Sequence, residues 1–343
     1  MERNLRMVLI FVVSVIFLTG LAPLVVHADF DVDNLFIINE PSSGSAGYDF
    51  IVEFASDGTS LSTLIPQTQN ITGMRRVAFD SVSGHLFYSV SCWSDQIFEI
   101  REVDSSGALI NTYTHEDFGS GNISFVFDSA GALHIANNGY IFVKQPGEAE
   151  LVRLFELPET GIGDLEIDSA GNLYLSDPFV NDTVYKIFAD GTVISYVDSA
   201  DGIDNPYGLA MDGSDNLYVA NSAYNKPAIV KVTNETQVSV FNDKNVESGI
   251  LDMTFDNHGM LYVSNRSQET IQVFDANANP TLFADAEDGL DDPSSMAFIT
   301  TNSSCSTDIE PDGDVDGMDL ADFAVHFDSA CLAELARAYG SGS

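Results

Sequence analysis

Apolar and polar positions along this chain fall into one short phrase that returns six times. The phrase is a Gly or Asp, a variable residue, Leu, an aromatic or other apolar residue, and then a β-rich pair. It reads DNLFII at 33–38, GHLFYS at 84–89, GALHIA at 131–136, GNLYLS at 171–176, DNLYVA at 215–220 and GMLYVS at 259–264. Its leucines, Leu35, Leu86, Leu133, Leu173, Leu217 and Leu261, stand 40 to 51 residues apart. Such a period marks repeated supersecondary units that bury their apolar faces against one another.

Five of the copies follow a short apolar strand ending in Asp: VAFD to Asp80, FVFD to Asp128, LEID to Asp168, LAMD to Asp212 and MTFD to Asp256. An Asp there can accept from the backbone two residues on and so nucleate a hairpin. Two further strands follow in each unit, an alternating one such as TVYKIF and a looser one such as TVISYV at 192–197. Four short strands in about 45 residues predict a propeller blade. The copy at 33–66 lacks its first strand, and SSMAFI at 294–299 is a first strand with nothing after it. Joined, the two ends make one blade and close a six-bladed ring, which removes the exposed edges of an open array. The expected architecture is an all-β propeller over 29–299 followed by a small helical module.

The N-terminal 28 residues stand apart. Arg3 and Arg6 precede an apolar run from Met7 to Ala22, and Val26-His27-Ala28 supplies small residues for cleavage. This predicts a secretory signal over 1–28, the alternative being an uncleaved membrane anchor. Without it, the chain keeps 11 basic and 51 acidic residues, a charge of −40 against −39 for the whole chain. That charge argues against nucleic acid and anionic membranes as partners and favours divalent cations or basic ones. Solubility in a salty medium accounts for it equally well. Export also permits a disulfide: Cys305 and Cys331 bracket one short module and are expected to pair, leaving Cys92 as a buried free thiol.

Pro206-Tyr207-Gly208-Leu-Ala-Met-Asp212 followed by Asp215-Asn216-Leu-Tyr-Val-Ala-Asn221 resembles an NHL repeat. The resemblance covers residues 33–299 and extends in outline to six-bladed gluconolactonase-like and virginiamycin B lyase-like proteins. It implies a propeller, and either an enzyme or a binding scaffold, since propellers host both.

Aligning the first strands sets Arg76, Ser124, Asp164, Gly208, Asp252 and Ser295 around one mouth of the channel, with Glu166 two residues beyond Asp164. Asp164, Glu166 and Asp252 form either an oxygen cage for Ca²⁺ or another hard cation, or a set of acids neutralised by Arg76 and solvent. The cage would suit a metal-dependent lactonase or lyase. A second row, Asn39, Asn137, Asp177, Asn221 and Asn265 with Val90 as the exception, is expected to bond the backbone of the next turn. The lyase-like His and the gluconolactonase-like metal quartet have no counterparts here, and no HExxH, GxSxG or CxxC motif is present. Trp93 is expected to pack between blades.

After a polar linker at 300–307, the stretch Asp308-Ile-Glu310-Pro-Asp312-Gly313-Asp314-Val-Asp316-Gly-Met-Asp319 places oxygen ligands at positions 1, 3, 5, 9 and 12 of a calcium loop, with Gly at 6 and Asp314 at 7. An amphipathic stretch, Leu320 to Phe327, follows. The segment 308–340 resembles the loop-helix half of a bacterial type I dockerin, with Glu310 in place of the usual Asn or Asp and a second helix, Cys331 to Tyr339, that lacks its own loop. The resemblance implies one Ca²⁺ and a cohesin-like partner. The reading favoured by the whole chain is a bacterial protein, secreted or at the cell surface, that binds an extracellular protein or carbohydrate.

Overall fold

The computed structural model describes residues 33–299, apart from 42–47, 70, 159, 223–227, 234–236 and 244–248. The expected signal at 1–28, the linker, the expected calcium loop with Asp308, Glu310, Asp312, Asp314, Asp316 and Asp319, its helices, and the expected Cys305–Cys331 pair lie outside the described residues.

The described chain forms six four-stranded antiparallel sheets. Blade 1 is assembled from both ends, with Pro293–Phe298 paired to Leu35–Asn39 in the register Leu35 to Phe298 and Ile37 to Met296. Blades 2 to 6 each run consecutively from their first strands, Met74–Asp80, Ser124–Phe127, Leu165–Ile167, Pro206–Met211 and Ile250–Phe255. Each repeated phrase is the second strand of its blade, as in Leu173–Asp177 and Leu217–Asn221.

Those second strands are buried on both faces, and their period of two explains why. Leu35 and Ile37 turn toward blade 6, where they meet Tyr262 and Ile271, whereas Phe36 and Ile38 turn toward blade 2, where they meet Val77 and Leu86. The same alternation builds six interblade cores. Each fully buried Leu, Ile or Phe contributes about 2 kcal/mol of transfer free energy, so the ring closes because no blade can cover its own faces.

The loops sort onto two faces. Turns between first and second strands carry the predicted aspartates: Asp128 Oδ1 accepts from the N–H groups of Ala130 and Ala132 at 3.0 and 2.8 Å. Asp168, Asp212 and Asp256 repeat the pattern two and four residues on. The opposite face, where first strands begin and second strands end, is the mouth.

Candidate functional site at the propeller mouth

The ring row converges as the alignment of first strands predicts, and Arg76 stands at its centre. Its Nη1 lies 3.1 Å from Asp164 and 3.0 Å from Asp252, its Nη2 lies 3.1 Å from Glu166, and its Nε donates to the Phe125 carbonyl at 3.4 Å. The acids come from blades 4 and 6, so the guanidinium reaches across the channel from blade 2. The place proposed for a cation among Asp164, Glu166 and Asp252 is thus held by a side-chain cation. Of the two arrangements open to the three acids, the observed geometry is the one in which Arg76 pairs with them.

The surrounding strands hold this knot in place. Asp164 Oδ1 accepts from Ser124 Oγ and Leu165 N, and its Oδ2 accepts from Leu209 N. Asp252 Oδ2 accepts from Ser295 Oγ and Met296 N, at 2.9 and 2.8 Å. Each aspartate therefore staples its own first strand to the next blade's. Gly208 fills a ring position because a Cβ there would meet the Asp252 Cα at 2.7 Å. Second-strand serines back the ring: Ser89, Ser176 and Ser264 accept from the N–H groups of Arg76, Asp164 and Asp252.

One guanidinium faces three carboxylates, and burial sharpens the imbalance. Burial pushes the Glu166 carboxyl up to about 8, partly opposed by Arg76 and reinforced by Asp164 and Asp252. Burial likewise raises Asp252, to about 6. For Arg76, burial alone favours the neutral form, but Asp164, Asp252 and Glu166 outweigh it and hold the guanidinium charged. A proton retained on Glu166 relieves the excess negative charge.

Above the knot opens a cavity of about 320 Å³. Its walls come from the residue just before each ring position: Arg75, Ile123, Gly163, Tyr207, Leu251 and Ser294. Reasoning on the ring row alone passes over this set, although the same alignment shifted by one residue finds it. Arg75 pairs with Glu40, and Arg266 lies 3.5 Å from Asp292. Across from them, Phe179 stands edge-on to Tyr207 with ring centroids 5.5 Å apart. Three of the eight Lys and Arg among the described residues line this cavity together with Glu40, Asp164 and Asp252, and each arginine is paired with an acid.

The amide row is a clamp. Asn137 Oδ1 accepts from Gly119 N, Asn221 Oδ1 from Asp204 N, Asn39 Oδ1 from Asp291 N and Asp177 Oδ1 from Gly161 N. The partner of these four is the loop entering the same blade, which departs from the expected bond to the next turn; Asp177 does both, accepting also from Phe179 and Val180, and Asn265 makes the expected bond, accepting from Gln268 N. Blade 2, with Val90 at this position, borrows Asp49 from the preceding blade, whose Oδ2 accepts from Met74 N at 2.8 Å. Burial raises Asp49 to about 6. Trp93 is 67% exposed, so the expectation of packing between blades is wrong: its ring lies 6.5 Å from that of Phe98 on the next strand of the same blade. Cys92 beneath it is a buried free thiol.

No family model and no curated protein matches the chain. Solved structures do, at the level of the fold. A chain of a nidogen–laminin complex superposes with a TM-score of 0.61 at 14% identity, covering 78% of this chain and 99% of that one. A Bacteroides caccae protein of unknown function gives 0.59 at 13%, covering 77% and 98%. A streptogramin B lyase gives 0.53 at 12%, covering 78% and 93%. These likenesses establish a six-bladed propeller with neighbours of the virginiamycin B lyase type.

Proposed function

We propose that this chain is an exported bacterial binding protein whose propeller mouth engages an extracellular ligand and whose loop at 308–319 binds one Ca²⁺. The observation that carries the reading is the engagement of all three ring carboxylates by Arg76. Acids so held serve as a rigid floor, and recognition falls to the walls, where Arg75 and Arg266 face Phe179 and Tyr207. A concave site with convergent polar groups and an aromatic wall suits ligand capture.

The calcium half rests on the ligand spacing of Asp308, Glu310, Asp312, Asp316 and Asp319 around Gly313. The dockerin resemblance further assigns this segment a docking role toward a cohesin-like partner. Export rests on the signal-like residues 1–28. The rival is a metal-dependent lactonase or lyase at the mouth, and a streptogramin B lyase shares the fold.

Two experiments decide. Calorimetry of the secreted chain with Ca²⁺ is expected to show one site that Asp312→Ala removes; no heat at millimolar Ca²⁺ would refute the calcium assignment. A lactone and cyclic-depsipeptide screen with added divalent cations is expected to show no turnover. Turnover abolished by Asp164→Ala would replace the binding reading with the enzymatic one.

A further inference from the structure

A second cavity, of about 620 Å³, lies beside the mouth at the boundary of blades 3 and 4. It shares Asn122 and Phe179 with the mouth cavity, so the two run into one groove that leads from the channel axis outward. Nothing in the ring chemistry requires this extension. Its lining also departs from the rest of the surface: on a chain with 52 acidic residues, Glu156 is the only charged side chain among the described residues that line it.

We propose that this groove binds a neutral, polyhydroxylated chain, an oligosaccharide, which enters the mouth at one end and lies along the blade 3–blade 4 boundary. The inference rests on the reading of the mouth as a recognition site and names its ligand class. Phe179 is the platform. It is 58% exposed, yet held by the edge-on ring of Tyr207 and by close packing on Gly161, where a Cβ would stand 2.6 Å from the Phe179 Cβ. An exposed ring that is already fixed loses little entropy when a flat apolar face, such as the C–H face of a sugar ring, stacks on it.

The polar groups around it match hydroxyls better than charges. Thr160 lines the cavity, and its Oγ1 is buried with no hydrogen-bond partner among the described residues. A buried hydroxyl without a partner costs free energy that a ligand hydroxyl would recover. Asn122 and Asn138 also line the cavity, their amide nitrogens donating to the Ile162 and Asp117 carbonyls, which holds the side chains in place. Among the described lining residues a polyanion finds no cation, and a polycation finds only Glu156. A wholly apolar ligand would leave the Thr160 hydroxyl unpaired.

Gly121 supplies a clean test. It lines the cavity, its backbone is not in the left-handed region, and a Cβ there meets nothing within 4 Å. Gly121→Leu therefore fills the groove without disturbing the blade. Isothermal titration of the full chain against gluco-, xylo- and mannohexaose, their disaccharides and hexagalacturonate reads the outcome. At least one neutral hexasaccharide is expected to bind, more tightly than its disaccharide and than the charged oligomer. Gly121→Leu should weaken it about tenfold or more with thermal stability unchanged. Phe179→Ala should cost up to about tenfold, and Thr160→Val a smaller loss in affinity with no loss of stability. Failure of every neutral hexasaccharide to bind at millimolar concentration, preference for the charged oligomer, or indifference to Gly121→Leu would each overturn the assignment. Arg266→Ala, which changes the mouth cavity and not the side cavity, separates it from the mouth reading. Loss of binding there with none in Gly121→Leu leaves the mouth and removes the groove. The converse keeps the groove and removes the mouth.

Discussion

The two faces of the propeller spend the same residue in opposite ways. On the face away from the mouth, aspartates recur blade after blade, and each makes a local bond: Asp128, Asp168, Asp212 and Asp256 all accept from N–H groups two and four residues ahead. At the mouth, Asp164 and Asp252 are singular, buried, and joined through Arg76 to a third acid. The repeated carboxylates act within one blade, answering to N–H dipoles and, at Asp168 and Asp212, to a third-strand lysine. The singular ones tie three blades through a full charge in a dry environment, where an unpaired ion is costly. Repetition in a ring thus identifies scaffold, and departure from it identifies the place where the channel is specialised.

The contrast should be largest on removing Arg76. Arg76→Ala leaves up to three buried carboxylates uncompensated and is expected to cost about 3–5 kcal/mol in denaturant unfolding. Ca²⁺ should return part of that loss, since the freed acids can then bind it in the folded state only. Arg76→Lys, which keeps the charge but loses the planar fork, should fall between. An Arg76→Ala protein as stable as wild type would mean the knot is not the fastener described. Asp128→Ala removes a single hairpin acceptor and is expected to cost about 1 kcal/mol.

The two faces should also answer to pH with opposite sign. Glu166, Asp252 and Asp49 have carboxyls raised by burial, to about 8, 6 and 6. The folded state therefore holds protons that the unfolded state has lost, and stability falls as pH rises through that window, from about pH 4 to 8. Asp168 and Asp212 are buried in part, but bonds from Asn172 and Lys186, and from Asn216 and Lys231, overcome that and lower them. Their stabilisation is present above the unfolded carboxylate range and is lost as pH falls below it. Melting temperature should accordingly peak in mildly acidic solution, near pH 5. Glu166→Gln keeps an acceptor for Arg76 and should flatten the decline between pH 6 and 8. A wild-type optimum at pH 8, or an unchanged slope in Glu166→Gln, would contradict the charge imbalance.

How far the chain announces this arrangement depends on the range of each contact. The Leu-aromatic phrase, the Asp turns and the split blade are local or periodic, and they appear in the structure where the pattern puts them. The ring row is legible as well, because strands of one blade order align by register. What remained open was the partnership. Asp164 stands 88 residues and Asp252 176 residues from Arg76, and periodicity does not say whether acids on opposite strands meet a guanidinium or a metal. Asp49 shows the same limit, since it replaces the missing amide at Val90 from another blade's loop. Phe179 and Trp93 were hidden for a different reason: apolar residues in hairpins read as core, and only the loop's path leaves them exposed.

The central claim is that Arg76, not a metal ion, occupies the ring. Crystals of the secreted protein grown with excess Ca²⁺, and then with Tb³⁺, would test it by anomalous scattering at the mouth. The expected map shows no ion among Asp164, Glu166 and Asp252, with the guanidinium in contact with all three. An anomalous peak within ligand distance of those carboxylates, with Arg76 swung into the mouth cavity, would contradict the account.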